Sequence, residues 1–332
     1  MKIAVIGGGS WATALVKLIS DKGLGKGIEL TWWLRRQESI EHLKKYKHNP
    51  DYLSSVVLPT EQINLTTSLP EAIADVEMVI LAIPSAFLYD QLQELPEDAF
   101  QGKWVASAIK GVVPQTYEVV GTYLKNRFKM PEKDLLVIGG PCHAEEVALE
   151  KLSFLTIASG SQASADKLAA ILESRFLKTS TSLDLYGTEY GAVLKNVYAI
   201  ASGICHGLGY GDNFQAVLMS QAIKEMEYFL DQVSPMERDV NDHVYLGDLL
   251  VTAYSQFSRN RTFGNMIGKG YSVKFAQLEM NMVAEGYYAT KSMHELLWKL
   301  KINMPILEAV YNIIYQNAIP KNEARRLIET FD

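Results

Sequence analysis

Lys2-Ile3-Ala4-Val5-Ile6-Gly7-Gly8-Gly9-Ser10-Trp11-Ala12-Thr13-Ala14-Leu15 opens the chain and decides how the rest is read. Lys2 to Ile6 is a short apolar run with β-branched residues, and Trp11 to Ile19 carries apolar residues at helical spacing. The stretch therefore reads strand, tight turn, helix. Gly7-x-Gly9-x-x-Ala12 fits the G-x-G-x-x-G/A pattern at the place where a dinucleotide-binding turn belongs. Gly7 permits the sharp turn, Gly9 lets a pyrophosphate approach the backbone, and Ala12 keeps the helix close to the strand. N–H groups at the helix start, aided by the helix dipole, would hold the phosphates. A glycine turn without a ligand is the competing reading; the strand-turn-helix setting argues against it.

The next strand, Ile28 to Leu34, tests the pattern further. A dinucleotide site usually has an acidic residue at this strand's end for the ribose 2′-hydroxyl, whereas this chain reads Trp33-Leu34-Arg35-Arg36. Arginine there suits a 2′-phosphate. Arg35 and Arg36 thus point to NADP(H), or to dual use with NAD(H), over strict use of NAD(H). The alternative is that both are solvated surface charges.

Further continuous apolar strands follow at Val76–Ile83, Trp104–Ile109 and Leu135–Ile138. Phe154–Ala158 and Leu177–Ser182 are two more, separated by a helix over Ala163–Ser174. Continuous apolar strands alternating with helices indicate a parallel sheet covered on both faces. Beyond Tyr186 the pattern turns helical, with helices expected over Thr188–Ile204, Phe214–Gln232, Asp248–Phe257, Val273–Met282, Tyr288–Leu300 and Pro305–Tyr315. The polar stretch Val233–Val244, which contains Pro235, reads as a loop. The expected architecture is α/β: a Rossmann-type, doubly wound sheet over residues 1–187, then a mainly helical domain over 188–332.

Composition narrows the function classes. The 332 residues are 48% hydrophobic and 21% charged, with a formal net charge of −6. No basic cluster stands out, which argues against nucleic acid as a partner. No apolar run reaches the length of a membrane-spanning helix, and the N-terminus lacks the pattern of a signal peptide. Cys142 and Cys205 form no metal-spaced pair and read as thiols of a cytoplasmic protein. The six histidines show no metal signature, so no metal is expected.

Two lysines carry the chemistry. Lys110, in Ala108-Ile109-Lys110-Gly111, follows an apolar strand and would project from its carboxyl end, where doubly wound folds bind ligands. Lys195 and Asn196 interrupt the otherwise apolar Gly191-Ala192-Val193-Leu194-Lys195-Asn196-Val197-Tyr198-Ala199-Ile200. At least partial burial follows, and buried Lys and Asn need partners. Asp248 and Thr252 are spaced to share one helix face. From the residues alone, a core salt bridge at Lys195 is as good a reading as a catalytic amine.

Several segments together resemble the NAD(P)-dependent glycerol-3-phosphate dehydrogenases, bacterial type. They are Gly7 to Leu15, Ile109-Lys110-Gly111, Gly140-Pro141-Cys142-His143-Ala144-Glu145-Glu146-Val147-Ala148, Leu194-Lys195-Asn196-Val197, Gly207-Leu208-Gly209-Tyr210-Gly211-Asp212-Asn213, Gly247-Asp248-Leu249, Ser258-Arg259-Asn260-Arg261-Thr262-Phe263-Gly264, Glu285-Gly286 and Met304-Pro305-Ile306. The resemblance runs from residue 1 to about 315, and ordered motifs over that span are far more specific than any single one. It implies reversible reduction of dihydroxyacetone phosphate to sn-glycerol 3-phosphate by NAD(P)H, in support of phospholipid synthesis. It also implies that Ser10, Trp11, Arg35, Arg36 and Ala144 contact the cofactor beside Gly7 and Gly9, with Val283 and Glu285 at its far side. Lys110, Gly140 and Cys142 would lie by the substrate, Lys110 also by the cofactor. Lys195 would be the catalytic acid/base. Asn196, Asp248, Thr252, Ser258, Arg259 and Asn260 would complete the substrate site, Arg259 also near the cofactor. A homodimer is compatible with this reading. Three positions depart from the family pattern: Ala12 stands where glycine is usual, Cys142 where Ser or Thr is usual, a weaker donor, and His206 where an acidic residue is expected before Gly207-Leu208-Gly209, with a surface or interface histidine as its reading. Two other classes stay open: a dehydrogenase of the same architecture acting on another hydroxy acid or sugar phosphate, and a dinucleotide sensor without turnover.

Overall fold

The computed structural model describes residues 1–280 and 284–331. The chain divides into two compact units, one made of Met1–Ile83, Phe87–Ile109 and Val120–Leu185, the other of Pro84–Ala86, Lys110–Val119 and Tyr186 onward. The elements run β1 (Lys2–Ile6), α1 (Ser10–Gly23), β2 (Glu29–Trp33), α2 (Gln37–Tyr46), β3 (Ile63–Thr66), α3 (Leu69–Ala74), β4 (Met78–Leu81), α4 (Ser85–Leu92) and β5 (Trp104–Ser107). A small hairpin, β6 (Val112–Val113) with β7 (Glu118–Val119), precedes α5 (Val120–Phe128), β8 (Leu135–Gly139), α6 (Ala144–Ala148), β9 (Ser153–Ser159), α7 (Gln162–Leu172) and β10 (Leu177–Ser182). Helices α8 (Leu185–Gly207), α9 (Asp212–Val233), α10 (Asp248–Tyr254), α11 (Arg259–Gly268), α12 (Val273–Glu279), α13 (Glu285–Leu300), α14 (Pro305–Tyr315) and α15 (Pro320–Ile328) complete it.

The first unit is an eight-stranded sheet in the order β10-β9-β8-β5-β4-β1-β2-β3 with helices flanking it. Its central strands are apolar on both sides: every residue of β4 and of β8 is buried, as a doubly covered sheet requires. The sheet is not wholly parallel, because β9 runs antiparallel to β8, and β10 then pairs parallel to β9. The link from β8 to β9 carries only the five-residue α6. The edge strand β3 and the hairpin β6–β7 were not legible beforehand; both are short, and β3 alternates with polar residues.

The turn after β1 is pinned from three directions. Gly7 has φ +138°, and a Cβ there would lie 2.3 Å from the Ala82 carbonyl oxygen, so only glycine fits. The buried Trp32 indole donates to the Gly7 carbonyl at 2.6 Å, and the Gly7 N–H donates to the Trp33 carbonyl at 3.2 Å.

The second unit packs its helices around α8, where Val193, Leu194, Val197, Tyr198 and Ile200 are wholly buried. Each such apolar side chain contributes about 1.5–3 kcal/mol when removed from water. The helix α11, read beforehand only as a motif, buries Asn260, Phe263, Gly264 and Ile267 along one face and starts at Ser258, whose side chain accepts the Arg261 N–H. It crosses α8 at very close range: a Cβ on Gly264 would sit 2.2 Å from the Ile200 carbonyl oxygen, and one on Gly268 2.2 Å from that of Ile204. Long range order comes also from Glu225 of α9, whose buried carboxylate accepts the N–H groups of Ile306 (2.8 Å) and Leu307 (3.1 Å) at the start of α14. The segment after α9 is irregular to Asp242 and then forms one turn of π-helix over His243–Gly247, leading into α10. No helix among the described residues is long and apolar enough to cross a membrane.

The α8–α11 crossing generates a stability prediction. Gly264→Ala presses a methyl group into backbone that cannot yield without separating the two helices, at a cost of about 2–4 kcal/mol. Urea unfolding of the variant checks it; an unchanged midpoint would show that the crossing is not so tightly constrained.

Candidate active site

In the first unit the glycine turn presents an open cradle. A Cβ added at Gly9 meets nothing within 4 Å. Gly9 is also the residue before α1 and gives that helix no side-chain cap. The first N–H groups of a 14-residue helix therefore face a site with room for an anion. Ser10 is buried and Trp11 half-buried beside it, and the buried Trp11 indole N–H has no hydrogen-bond partner among the described residues. An orphan donor and an empty glycine cradle at a helix start fit a dinucleotide pyrophosphate. Arg35 and Arg36 lie exposed just past β2, and Arg36 is paired with Asp51. Gly140, Cys142 and Ala144 come from the turn after β8: Gly140 is buried with φ +104°, Cys142 is half-buried, and Ala144 begins α6.

The second unit brings the lysines together. Lys110 leads into the β6–β7 hairpin, Lys195 sits mid-α8, and Asp248 is the first residue of α10. Asp248 Oδ1 accepts the Lys195 ammonium and its Oδ2 accepts Lys110 Nζ at 3.1 Å. Asp248 is 1% exposed, Lys195 6% and Lys110 18%, so water screens the group poorly. Burial pushes the Lys195 amine down to about 7; Asp248 pulls it up and the second cation, Lys110, pushes it down. The result is a buried amine that exchanges a proton near neutrality, unlike an ordinary lysine.

A second layer of side chains fixes these groups. Asn196 Nδ2 donates to the Lys110 carbonyl oxygen at 2.7 Å, and Asn196 Oδ1 accepts from Asn260 Nδ2 at 2.9 Å. Asn260 Oδ1 accepts the Gly286 N–H at 2.9 Å. Next to Gly286, the Glu285 carboxylate accepts both the N–H and the hydroxyl of Ser85. Burial raises the Glu285 carboxyl, while Ser85 and the Arg259 charge oppose the rise. Thr252 turns its hydroxyl onto the Asp248 carbonyl at 2.6 Å, and Ser258 caps α11. Val283 lies outside the described residues.

Some of these parts gave no signal beforehand. Ser85 is one serine after Pro84, with nothing in its neighbourhood to mark a long-range partner. Asp51, the partner of Arg36, lies in a polar stretch with no motif of its own. Trp32 was legible as a strand residue but not as the donor that holds the turn.

Comparisons with known proteins agree with this geometry. The family model for the N-terminus of NAD-dependent glycerol-3-phosphate dehydrogenase matches residues 2–165, and that for its C-terminus matches residues 184–325. A glycerol-3-phosphate dehydrogenase (NAD(P)+) of Bacillus cereus (strain G9842) is 35% identical over 317 residues, covering 95% of this chain and 91% of that protein. One from Exiguobacterium sp. (strain ATCC BAA-1283 / AT1b) is 34% identical over 327 residues, 98% and 94% of the two chains. The crystal structure of glycerol-3-phosphate dehydrogenase from Coxiella burnetii superposes with a TM-score of 0.90 at 26% identity, covering 99% of this chain and 98% of that one. With the fold, the glycine cradle and the two-lysine carboxylate cluster all in hand, the chain belongs to the NAD-dependent glycerol-3-phosphate dehydrogenase family.

Proposed function

We propose that Lys195 is the proton donor and acceptor in the reversible reduction of dihydroxyacetone phosphate to sn-glycerol 3-phosphate, the reaction of this NAD(P)-dependent oxidoreductase. The observation that carries this is the buried amine on Asp248, brought to about 7 by burial and by Lys110. When bound, the reduced nicotinamide supplies a hydride to the C2 carbonyl carbon of the substrate. Lys195, as ammonium, gives its proton to the C2 oxygen as negative charge grows there. In the oxidative direction the neutral Lys195 amine takes the hydroxyl proton. Asp248 keeps the amine in one place in both protonation states, and Lys110 holds positive charge beside it.

Residues 1–187 serve as the dinucleotide-binding domain and 188–332 as the substrate and catalytic domain. Gly7, Gly9, Ser10 and Trp11 hold the pyrophosphate side, Arg35 and Arg36 the adenosine side, and Lys110, Ala144, Arg259, Val283 and Glu285 the remaining cofactor contacts. Gly140, Cys142, Asn196, Asp248 and Thr252 line the substrate. Arg259 offers a planar fork for its phosphate. Ser258 and Asn260 add donors: the Ser258 hydroxyl accepts from backbone while its own hydrogen remains to give, and Asn260 has a second amide hydrogen. The enzyme acts in the cytoplasm, and its product supplies phospholipid synthesis.

Lys195→Ala lowers turnover by about 10²–10⁴, measured as loss of nicotinamide absorbance with dihydroxyacetone phosphate; near-normal turnover would remove Lys195 from the mechanism. The pH dependence follows from the lowered amine. Reduction needs the ammonium, so its kcat/KM falls as pH rises through about 7, and oxidation needs the free amine, so its kcat/KM rises through the same range. Asp248→Asn removes the influence that raises the amine, and both limbs then move to lower pH. Limbs that stay in place in that variant would show that another group controls the profile.

A further inference from the structure

Asp51 has no role in the reading above. Its carboxylate is paired with the Arg36 guanidinium, and both side chains are about half exposed, 47% and 55%. Arg36 stands between the end of β2 and the start of α2. Dinucleotide-binding folds usually place an acidic side chain there, against the ribose 2′-hydroxyl. This chain has arginine at that point of the strand and delivers a carboxylate to it from a different segment.

The delivery is built into the core. Asn49 is 1% exposed. Its Nδ2 donates to the Gly8 carbonyl at 3.0 Å and to Thr13 Oγ1 at 2.8 Å. Its Oδ1 accepts the backbone N–H groups of Asp51 at 3.0 Å and Tyr52 at 3.1 Å. Thr13 in turn donates to the Gly9 carbonyl at 2.9 Å. One buried amide therefore ties the turn that carries Asp51 to the glycine turn itself, and both donors and both acceptor directions of that amide are used.

We propose that Asp51 is a specificity-determining residue that shifts cofactor preference toward NADH by occupying Arg36 and offering an acceptor to the ribose 2′-hydroxyl. This rests on the assignment of Arg35 and Arg36 to the cofactor's adenosine side. A 2′-phosphate carries a charge of about −1.5 to −2 at neutral pH. To reach Arg36 it must displace the Asp51 carboxylate or sit beside it. Two unit charges about 4 Å apart in water-like surroundings change affinity by about fivefold. A 2′-hydroxyl is neutral and donates to the same carboxylate. The arginine pair alone would favour NADPH; the pair with its tethered carboxylate accepts both cofactors.

The test is titration of NADH and NADPH, without substrate, followed by nicotinamide fluorescence on the full-length protein and its Asp51→Asn, Asp51→Glu and Arg36→Gln variants. Asp51→Asn is expected to tighten NADPH about five- to tenfold and to loosen NADH about two- to threefold, the NADPH gain shrinking as salt is raised. Asp51→Glu restores the original ratio, and Arg36→Gln loosens NADPH. If Arg36→Gln loosens NADPH while Asp51→Asn leaves the ratio of the two affinities unchanged, the proposal fails and the arginine assignment stands. Equal loosening of both cofactors by Asp51→Asn also overturns it, since that is the mark of a loop that merely lost its shape. If no substitution moves either affinity, the arginine assignment fails first and the proposal with it.

Discussion

Two ammonium groups share one buried carboxylate, and the helical unit is organised around that constraint. Taking ions out of water costs several kcal/mol each, and the cost is offset only by close opposite charge and hydrogen bonds. Asp248 supplies both, to Lys195 through one oxygen and to Lys110 through the other. The cluster still holds one positive charge more than negative if both amines are protonated. Low exposure makes that excess expensive, and Lys195, the deeper amine, gives way by holding its proton less tightly. The feature that would be a defect in a structural salt bridge is the one an acid/base catalyst needs.

The site is held rigid by a chain of polar groups inside an otherwise apolar bundle. Asn196 and Asn260 pass from the Lys110 carbonyl to the Gly286 N–H, and Glu285 beside it clasps Ser85. In low dielectric each of these groups must be bonded or pay for its burial. The glycines of α11 make that chain possible, because they let the backbone of α11 approach α8 closely enough for two short asparagine side chains to meet. Larger residues at Gly264 or Gly268 would hold the helices apart, and the amides would lose each other.

The sheet unit solves a different problem with the same economy. A phosphate cradle needs backbone N–H groups left available, so the turn that makes it cannot be stabilised by its own hydrogen bonding. Trp32 holds the Gly7 carbonyl from the neighbouring strand, and Asn49 holds the Gly8 carbonyl from the loop. Both act on carbonyl oxygens and take up no N–H group of the turn. The same Asn49 sets the loop whose Asp51 pairs with Arg36, so the glycine turn and that ion pair are mechanically joined.

Local pattern was enough to read β1, the turn and α1, because a strand period, three glycines and a helix period follow one another within one short segment. It was also enough to mark Lys195 and Asn196 as out of place, since polar residues in an apolar helix stand out whatever they do. The antiparallel turn of β9, the edge strand β3 and the helix α11 were not legible that way. Strand direction is decided by how the chain returns across the sheet, and α11 is rich in Asn, Thr and Gly, whose weak helix preference conceals an apolar stripe at Phe263 and Ile267. Which charges surround Lys195 belonged to tertiary structure alone. A lysine's proton affinity is set by which charges lie within a few ångströms and how much water is left, and Asp248 and Lys110 reach it from 53 and 85 residues away along the chain. Sequence determined which residue types were available and where the chain would turn; only the packed fold decided which charges share a low-dielectric space, because Coulomb energy depends on distance through space and not on separation along the chain.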